Sequence, residues 1–202
     1  MAGRIARGRS PTPGRLLDAA ERLMLGQGYA ATTVDEICEA AKLTKGSFFH
    51  YFESKEALGQ ALLERFCHSA LQRMQQAVAG QTSDPLKRVY AHVDFMIAAS
   101  KRCGNEPGCL LGTFAQELSD THPAMRALCA KAFGRWADLL KRDLDEARAK
   151  RAPRRDIDTR GLADTFIAVL EGSKILAKAR RDASVETRSL RHFKRYLEHV
   201  FE

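Results

Sequence analysis

The sequence predicts an all-α protein of about nine helices, with an N-terminal three-helix domain that contains a helix-turn-helix and a C-terminal helical domain. Apolar residues recur at i, i+3, i+4 and i+7 along most of the chain, which is the spacing of a buried helix face. Residues 29–58 hold three short helical patterns, each opened by a hydroxyl residue, with almost no loop between them. At 202 residues, 45% of them apolar, the chain is long enough to bury a core.

The first fourteen residues are predicted to form a flexible basic arm. They carry three arginines and no acid, and Pro11, Pro13 and Gly14 argue against a helix there. Such an arm would follow phosphates or enter a minor groove, although a terminus without a role fits the same residues. From Arg15 a first helix is expected to run to the glycines at positions 26 and 28.

The second helix is expected to begin at Thr33. Thr33 precedes Glu36 by three residues, the spacing at which the two side chains cap each other's backbone amides. The apolar residues that follow lie on one face of a two-turn helix: Val34, Ile37, Cys38 and Ala41. Thr44 then caps a third helix that runs through Phe52, and Ser54 opens a fourth.

Two short helices joined by a tight turn have the geometry of a helix-turn-helix, whose second helix enters the DNA major groove. The segment from Lys42 to Phe52 contains no acid. It offers cationic, hydroxyl and ring groups, together with a glycine that permits close backbone approach: Lys45, Gly46, Ser47, His50 and Tyr51. From periodicity alone, a helical hairpin packed inside an all-α protein is an equally good interpretation.

The same stretch resembles the DNA-binding segment of the TetR family of bacterial transcriptional regulators. Members commonly carry G-Y-x-x-T-T-v-x-x-I followed by T-K-G-x-x-Y-x-Y/H-F-x-S/N-K-E-x-L. The matching residues are Gly28, Tyr29, Thr32, Thr33, Ile37, Thr44, Lys45, Gly46, Phe49, His50, Tyr51, Phe52, Ser54, Lys55, Glu56 and Leu58. Phe49 departs from the tyrosine that members often carry, so a phosphate-bonding hydroxyl is missing there and His50 is expected to take over part of its role.

The resemblance implies a set of DNA contacts and a domain division. The expected contacts are Thr33, Thr44, Lys45, Gly46, Ser47, Phe49, His50, Tyr51 and Lys55. Residues 15–60 are predicted to form the DNA-binding domain, and residues 61–202 the domain for effector binding and dimerisation. A net charge of +8 and a pI near 9.4 suit a polyanionic partner such as double-stranded operator DNA.

The remaining helices are predicted from the positions of proline and glycine and from the spacing of apolar residues. A long helix is expected from Ser54 to about Val78, and Pro85 marks the start of the next. Pro107 and Gly108 indicate a further helix start, and a segment from Thr121 to Pro123 indicates its end. Apolar residues then mark another long helix: Phe133, Trp136, Leu139, Leu140 and Leu144.

The last two helices, at about 158–181 and 186–202, are strongly amphipathic. Such helices can pair with their copies across a two-fold axis, and the TetR resemblance implies a homodimer of this kind. A helix-turn-helix that recognises palindromic half-sites also needs a dimer. The alternative is that both helices simply cover the core of one protomer.

No pattern in the chain points to catalysis, a membrane or a metal. No apolar run is long enough to cross a bilayer, and no secretory signal is present, so a cytoplasmic location is expected. The six histidines fall singly, so neither a metal site nor a cofactor is predicted. We therefore expect a protein that is not an enzyme.

Five cysteines, an odd number, indicate reduced thiols. Cys109 follows a predicted helix start, where the helix dipole lowers a thiol pKa, and Cys103 follows two cations that act in the same direction. Gly108-Cys109-Leu110 resembles the context of the cysteine in TetR-family sensors of electrophiles or oxidants, and Lys174 is expected near that thiol. A small buried hydrophobe is the other interpretation of a free cysteine.

These observations predict a transcriptional repressor that leaves its operator when a small molecule binds the C-terminal domain. The expected pocket residues are Phe95, Met96, Phe114, Phe133, Trp136 and Phe166, although aromatic residues at helical spacing are also typical of a core. A thiol-based oxidant or electrophile sensor that uses Cys109 or Cys103 is the first alternative. An activator, or an enzyme or scaffold on the same fold, is the remote one; catalytic turnover or the absence of salt-dependent DNA binding would reveal it.

Overall fold

A computed structural model describes residues 12–80, 82–103, 108–151 and 156–202. Within these ranges the chain forms nine α-helices and no strand, which confirms the predicted all-α class. The helices are α1 (Thr12–Gln27), α2 (Val34–Ala41), α3 (Lys45–Tyr51), α4 (Lys55–Val78), α5 (Pro85–Cys103), α6 (Leu110–Leu118), α7 (Pro123–Arg151), α8 (Thr159–Arg180) and α9 (Ser184–Val200). None of the described helices is both long and apolar enough to span a membrane.

The start of α1 corrects one expectation. Helix α1 begins at Thr12, so Pro13 and Gly14 lie in its first turn and not in an arm that excludes helix. A proline is tolerated there because the first N–H groups of a helix have no intrahelical partner and its φ already suits the helix. Residues 1–11, which make up most of the predicted arm, lie outside the described part of the chain.

The chain divides into two compact units, one ending at Arg65 and the other beginning at Phe66. In the first unit, Thr33 and Glu36 form the predicted capping box of α2, and Lys42 ends that helix in a left-handed conformation with φ 54°. Arg15 of α1 donates hydrogen bonds to the carbonyl oxygens of Ala41, at 2.6 Å, and Lys42. This guanidinium therefore attaches α1 to the turn between α2 and α3.

The second unit packs α5 against α7 and α9, and α8 against α7 and α9. An ionic cluster joins α5 to α7 within the core. Asp143, only 2% exposed, accepts hydrogen bonds from Arg88 Nε at 2.9 Å and His92 Nε2 at 3.2 Å. Arg88 also pairs with Glu146. Buried charges of this kind hold two helices in one register as long as every partner is present.

Candidate functional site

Helix α3 presents an open face made of Lys45, Gly46, Phe49 and His50, all of them exposed. Its opposite face is anchored by Phe48, which is fully buried. The Phe49 ring is 55% exposed, the most exposed large apolar side chain among the described residues. A helix that buries one aromatic ring and leaves another in solvent has a face available to an external partner.

Gly46 has no role in the packing of its own unit. A Cβ added there would meet only Thr44 Oγ1, at an unstrained 3.7 Å, and the residue lies inside α3. Because alanine is a better helix former than glycine, the fold alone does not require glycine at this position. The missing side chain leaves the backbone of α3 open to close approach from outside.

The hydroxyl candidates are engaged in local caps. Thr33 Oγ1 accepts a hydrogen bond from the Glu36 backbone N–H, and Thr44 Oγ1 accepts one from the Ser47 backbone N–H. Thr44 and Ser47 hydroxyls also lie 3.1 Å apart. These bonds fix the starts of α2 and α3 and orient the two hydroxyl groups.

The two candidate lysines have different surroundings. Lys45 pairs with Asp35 of α2 at 2.7 Å, but both side chains are mostly exposed, so the pair is weak and exchangeable. The Lys55 ammonium donates hydrogen bonds to the Tyr29 and Thr32 carbonyl oxygens at 3.1 and 2.9 Å. The structure thus gives Lys55 a bracing role that its place in the motif does not reveal. The acidic neighbour of Lys45 is likewise not evident from sequence spacing.

The six predicted pocket residues fall into two groups. Phe114, Trp136 and Phe166 are buried, whereas Phe95, Met96 and Phe133 are partly exposed. Phe133 and Trp136 rings meet edge to face at 6.4 Å. The buried Nε1 of Trp136 has no hydrogen-bond partner within the described residues. Phe95 lines a surface pocket of about 540 Å³ together with Tyr90 and Asp94.

Cys109 occupies the N-cap position of α6, but its thiol pKa is not lowered as the sequence predicts. The side chain is buried, and burial together with the Glu171 carboxylate raises the thiol pKa well above its usual range. The Gly112 backbone N–H and the Lys174 ammonium oppose this rise without reversing it. The expectation of a lowered thiol pKa is therefore wrong, because desolvation outweighs the helix dipole.

The structure does bring Lys174 into the surroundings of Cys109, and it adds two residues that the sequence did not suggest. Glu171 of α8 faces the thiol. Gly112 lies where a Cβ would fall 2.2 Å from Glu171 Oε2. The approach of Glu171 to the start of α6 depends on tertiary structure, so it cannot be recognised from residue spacing. The side chain of Cys103 lies outside the described part of the structure.

Comparison with known proteins agrees with this geometry. Residues 16–62 match the family described as "Bacterial regulatory proteins, tetR family". Residues 85–193, more than half of the chain, match "Tetracyclin repressor-like, C-terminal domain". An N-terminal helix-turn-helix followed by a helical C-terminal domain defines a DNA-binding transcriptional regulator. The chain belongs to the TetR family of these regulators.

Several relatives are named as regulators. The HTH-type transcriptional repressor DhaR of Mycobacterium sp. (strain GP1) is 29% identical, over 86% of each chain. The transcriptional regulator AcuR of Cereibacter sphaeroides is 32% identical over 75% of this chain and 69% of its own. The HTH-type transcriptional repressor NemR of Escherichia coli K12 is 28% identical over 89% of this chain and 90% of its own.

Solved structures share the whole fold. The regulatory protein TetR from Rhodobacter sphaeroides superposes with a TM-score of 0.82 at 29% identity, covering 93% of this chain and 99% of its own. The reduced form of E. coli NemR superposes with a TM-score of 0.74 at 28% identity, covering 92% of this chain and 96% of its own.

Proposed function

We propose that this protein is a homodimeric, cytoplasmic transcriptional repressor that binds a palindromic operator and releases it when a small molecule binds. Residues 15–60 form the DNA-binding domain, and residues 61–202 bind the effector and dimerise. Effector binding shifts the population toward a state in which the two recognition helices no longer match half-sites one helical turn apart.

The open face of α3 is the observation that carries this proposal. Gly46 allows the helix backbone to approach a groove, and Lys45 and His50 flank it with donors for base edges or phosphates. Phe49 and Tyr51 offer exposed rings for sugar or methyl contacts. Thr33, Thr44 and Ser47 stand at helix starts, where phosphate is favoured. Lys55 contributes chiefly by holding the helix-turn-helix in shape.

Exposed apolar side chains on the last two helices support dimerisation. Ile175 and Leu176 of α8 and Tyr196 of α9 are 50%, 43% and 51% exposed. A second copy of the chain would cover these side chains and contribute the second recognition helix. In the structure α8 and α9 already pack against each other, so each protomer offers a preformed pair of helices to a four-helix interface.

In this proposal the effector binds among the helices that carry the six candidate pocket residues. The unpartnered Trp136 Nε1 supports this assignment, since a buried donor without a partner costs about 1–3 kcal/mol unless a ligand or water accepts its proton. The edge-to-face contact with Phe133 fixes the indole orientation.

Binding to the DNA upstream of the protein's own gene tests the proposal. Fluorescence anisotropy at about 50 and 200 mM salt compares wild type with Lys45→Ala and His50→Ala. We expect tight binding that weakens with salt and at least about a tenfold loss in each variant. Lys131→Ala, a cation on α7, serves as the matched control and should bind as wild type. Binding indifferent to Lys45 and His50 would refute the assignment of α3.

A thiol switch is the second candidate function. The specific observation that favours it is the buried contact of Cys109 with Glu171, near the Lys174 ammonium. In this case covalent modification of Cys109 would take the place of reversible effector binding. A reporter strain that carries Cys109→Ser should lose its response to electrophiles and oxidants while it still represses. An unchanged response would exclude Cys109 as the sensor and leave Cys103 as the remaining thiol candidate.

A further inference from the structure

Four polar side chains meet where the first turn of α6 faces α8. The Cys109 thiol and the Glu171 carboxylate lie on two sides of Gly112, close enough for each group to shift the pKa of the other. Lys174, one turn further along α8, donates to Glu186 Oε1 of α9 at 2.6 Å. The cluster thus combines one thiol, two carboxyl groups and one amino group.

Gly112 gives the Glu171 carboxylate its place. A Cβ on Gly112 would lie 2.2 Å from Glu171 Oε2 and 3.6 Å from the Cβ of Cys109. No side chain can occupy that point without moving the carboxylate, so glycine alone admits it beside the thiol. The Cys109 thiol and the Glu171 carboxylate thus lie on two sides of Gly112, in the first turn of α6.

One oxygen of the Glu171 carboxylate lacks a hydrogen-bond partner among the described residues. Glu171 Oε1 is buried and has no hydrogen-bond partner within the described residues. A buried acceptor without a partner is unfavourable, and burial also raises the pKa of the carboxyl group. A carboxylate in this state is a stronger proton acceptor than one in water.

We propose that Glu171 is the proton acceptor for Cys109 in the addition of its thiol to an electron-poor alkene of the α,β-unsaturated carbonyl class. This inference rests on the thiol switch described under Proposed function and adds the group that makes a buried, protonated thiol reactive. Cys109 is 6% exposed, and Glu171 is the carboxylate placed beside its thiol, so Glu171 is the base closest at hand.

The step balances without an oxidant. The Sγ proton passes to the Glu171 carboxylate as Sγ forms a bond to the β-carbon of the alkene. The π electrons of the C=C bond move toward the carbonyl oxygen and give an enolate. Glu171 then returns the proton to the α-carbon, leaving a thioether and a carboxylate. The Lys174 ammonium, held by Glu186, offsets negative charge during the transfer.

Removal of the carboxylate has opposite consequences for a base and for a mere neighbouring charge. As a charge, Glu171 raises the pKa of the thiol, so Glu171→Gln would ease ionisation of the thiol and speed its alkylation. As a base, Glu171 is required for the proton transfer, so the same substitution slows alkylation. The sign of the change in rate therefore distinguishes the two roles.

The test measures alkylation of Cys109 in the folded, full-length protein at pH 7. N-ethylmaleimide is the probe, and mass spectrometry of the Cys109 peptide separates this thiol from the other cysteines. General acid–base catalysis contributes typically about 10²–10⁴-fold, and we expect alkylation to be at least about tenfold slower in Glu171→Gln. Gly112→Ala, which displaces the carboxylate, should slow it as well.

Glu186→Gln is the matched control. It removes the same unit of charge from the cluster but leaves the contact between Glu171 and the thiol, so its Cys109 should not react more slowly than that of wild type. Unchanged helix content and operator binding establish that each variant is folded. Equal or faster alkylation in Glu171→Gln would overturn the base role alone. A Cys109 inert to the maleimide in operator-binding wild type would overturn the thiol switch with it.

Discussion

Lys55 and Tyr29 are joined twice. The Lys55 ammonium donates a hydrogen bond to the Tyr29 carbonyl oxygen at 3.1 Å and lies 4.4 Å from the centroid of the Tyr29 ring. A second bond reaches the Thr32 carbonyl oxygen. Lys55, at the start of α4, thus holds the segment between α1 and α2 against α4.

Lys55→Met is expected to destabilise the protein by about 1–2 kcal/mol, because two charge-assisted hydrogen bonds and a cation–π contact are lost. Urea denaturation measures the change. Lys45→Met is the control: its ion pair is exposed, so stability should change by less than about 1 kcal/mol while operator affinity falls. Unaltered stability in Lys55→Met would show that the lysine does not brace the unit.

Gly46→Ala should separate stability from DNA binding. The fold offers open space for a methyl group there, so replacing glycine inside α3 is expected to stabilise the protein by about 0.5–1 kcal/mol. The same methyl group would obstruct approach to DNA and weaken operator binding. Gly134→Ala in α7, where an added Cβ has no neighbour within 4 Å, should stabilise without affecting affinity. Chemical denaturation and anisotropy give the two quantities, and equal operator affinities in both variants would contradict the role of Gly46.

Three features of the structure show what could and could not be predicted from the sequence. The capping box of Thr33 and Glu36 depends on residues three apart, so local spacing was sufficient to place α2. The burial of Cys109 and its nearness to Glu171 of α8 depend on tertiary structure, and together they reverse the expected pKa shift. The predicted start of α1 at Arg15 is wrong, because proline disrupts the interior of a helix but fits its first turn.

The cluster of Asp143 with Arg88 and His92 predicts an acid-sensitive core. Burial works to raise the pKa of Asp143, but hydrogen bonds from His92 and Arg88 outweigh it and hold the pKa below its usual value. A lowered folded-state pKa gives stability that is present above the unfolded-state pKa of about 3.9 and lost as the pH falls through the folded-state value. Stability should therefore drop below about pH 4.

Asp143→Asn tests this cluster. The variant should be about 3 kcal/mol less stable at pH 7, since Arg88 and the buried His92 both lose their shared carboxylate. It should also lose part of the acid-dependent decline seen in wild type. Asp156→Asn, at a fully exposed aspartate, is the control and should match wild type. Urea titrations at pH 7 and pH 3.5 give both results, and a variant as stable as wild type at pH 7 would contradict this account.

Trp136 is the only tryptophan in the chain, so its fluorescence reports directly on the proposed pocket. Trp136→Phe should change stability by less than about 1 kcal/mol, because the indole N–H has no partner to lose. An effector that displaces operator from wild type should alter the tryptophan emission and should act at least about tenfold more weakly on the variant. An effector that releases both proteins at equal concentration would place the pocket elsewhere.

Leu176→Glu is expected to break the dimer. Leu176 is exposed on α8 beside Ile175, and a buried charge without a partner in a two-fold interface would cost several kcal/mol. Sedimentation should then show a monomer, and operator affinity should fall because one protomer holds a single half-site. Ala130→Glu adds the same acid to an exposed position of α7 and should remain dimeric. A dimeric Leu176→Glu that binds operator normally would exclude this part of α8 from the interface, whereas a monomer with weakened binding would connect the assembly of α8 and α9 to DNA recognition.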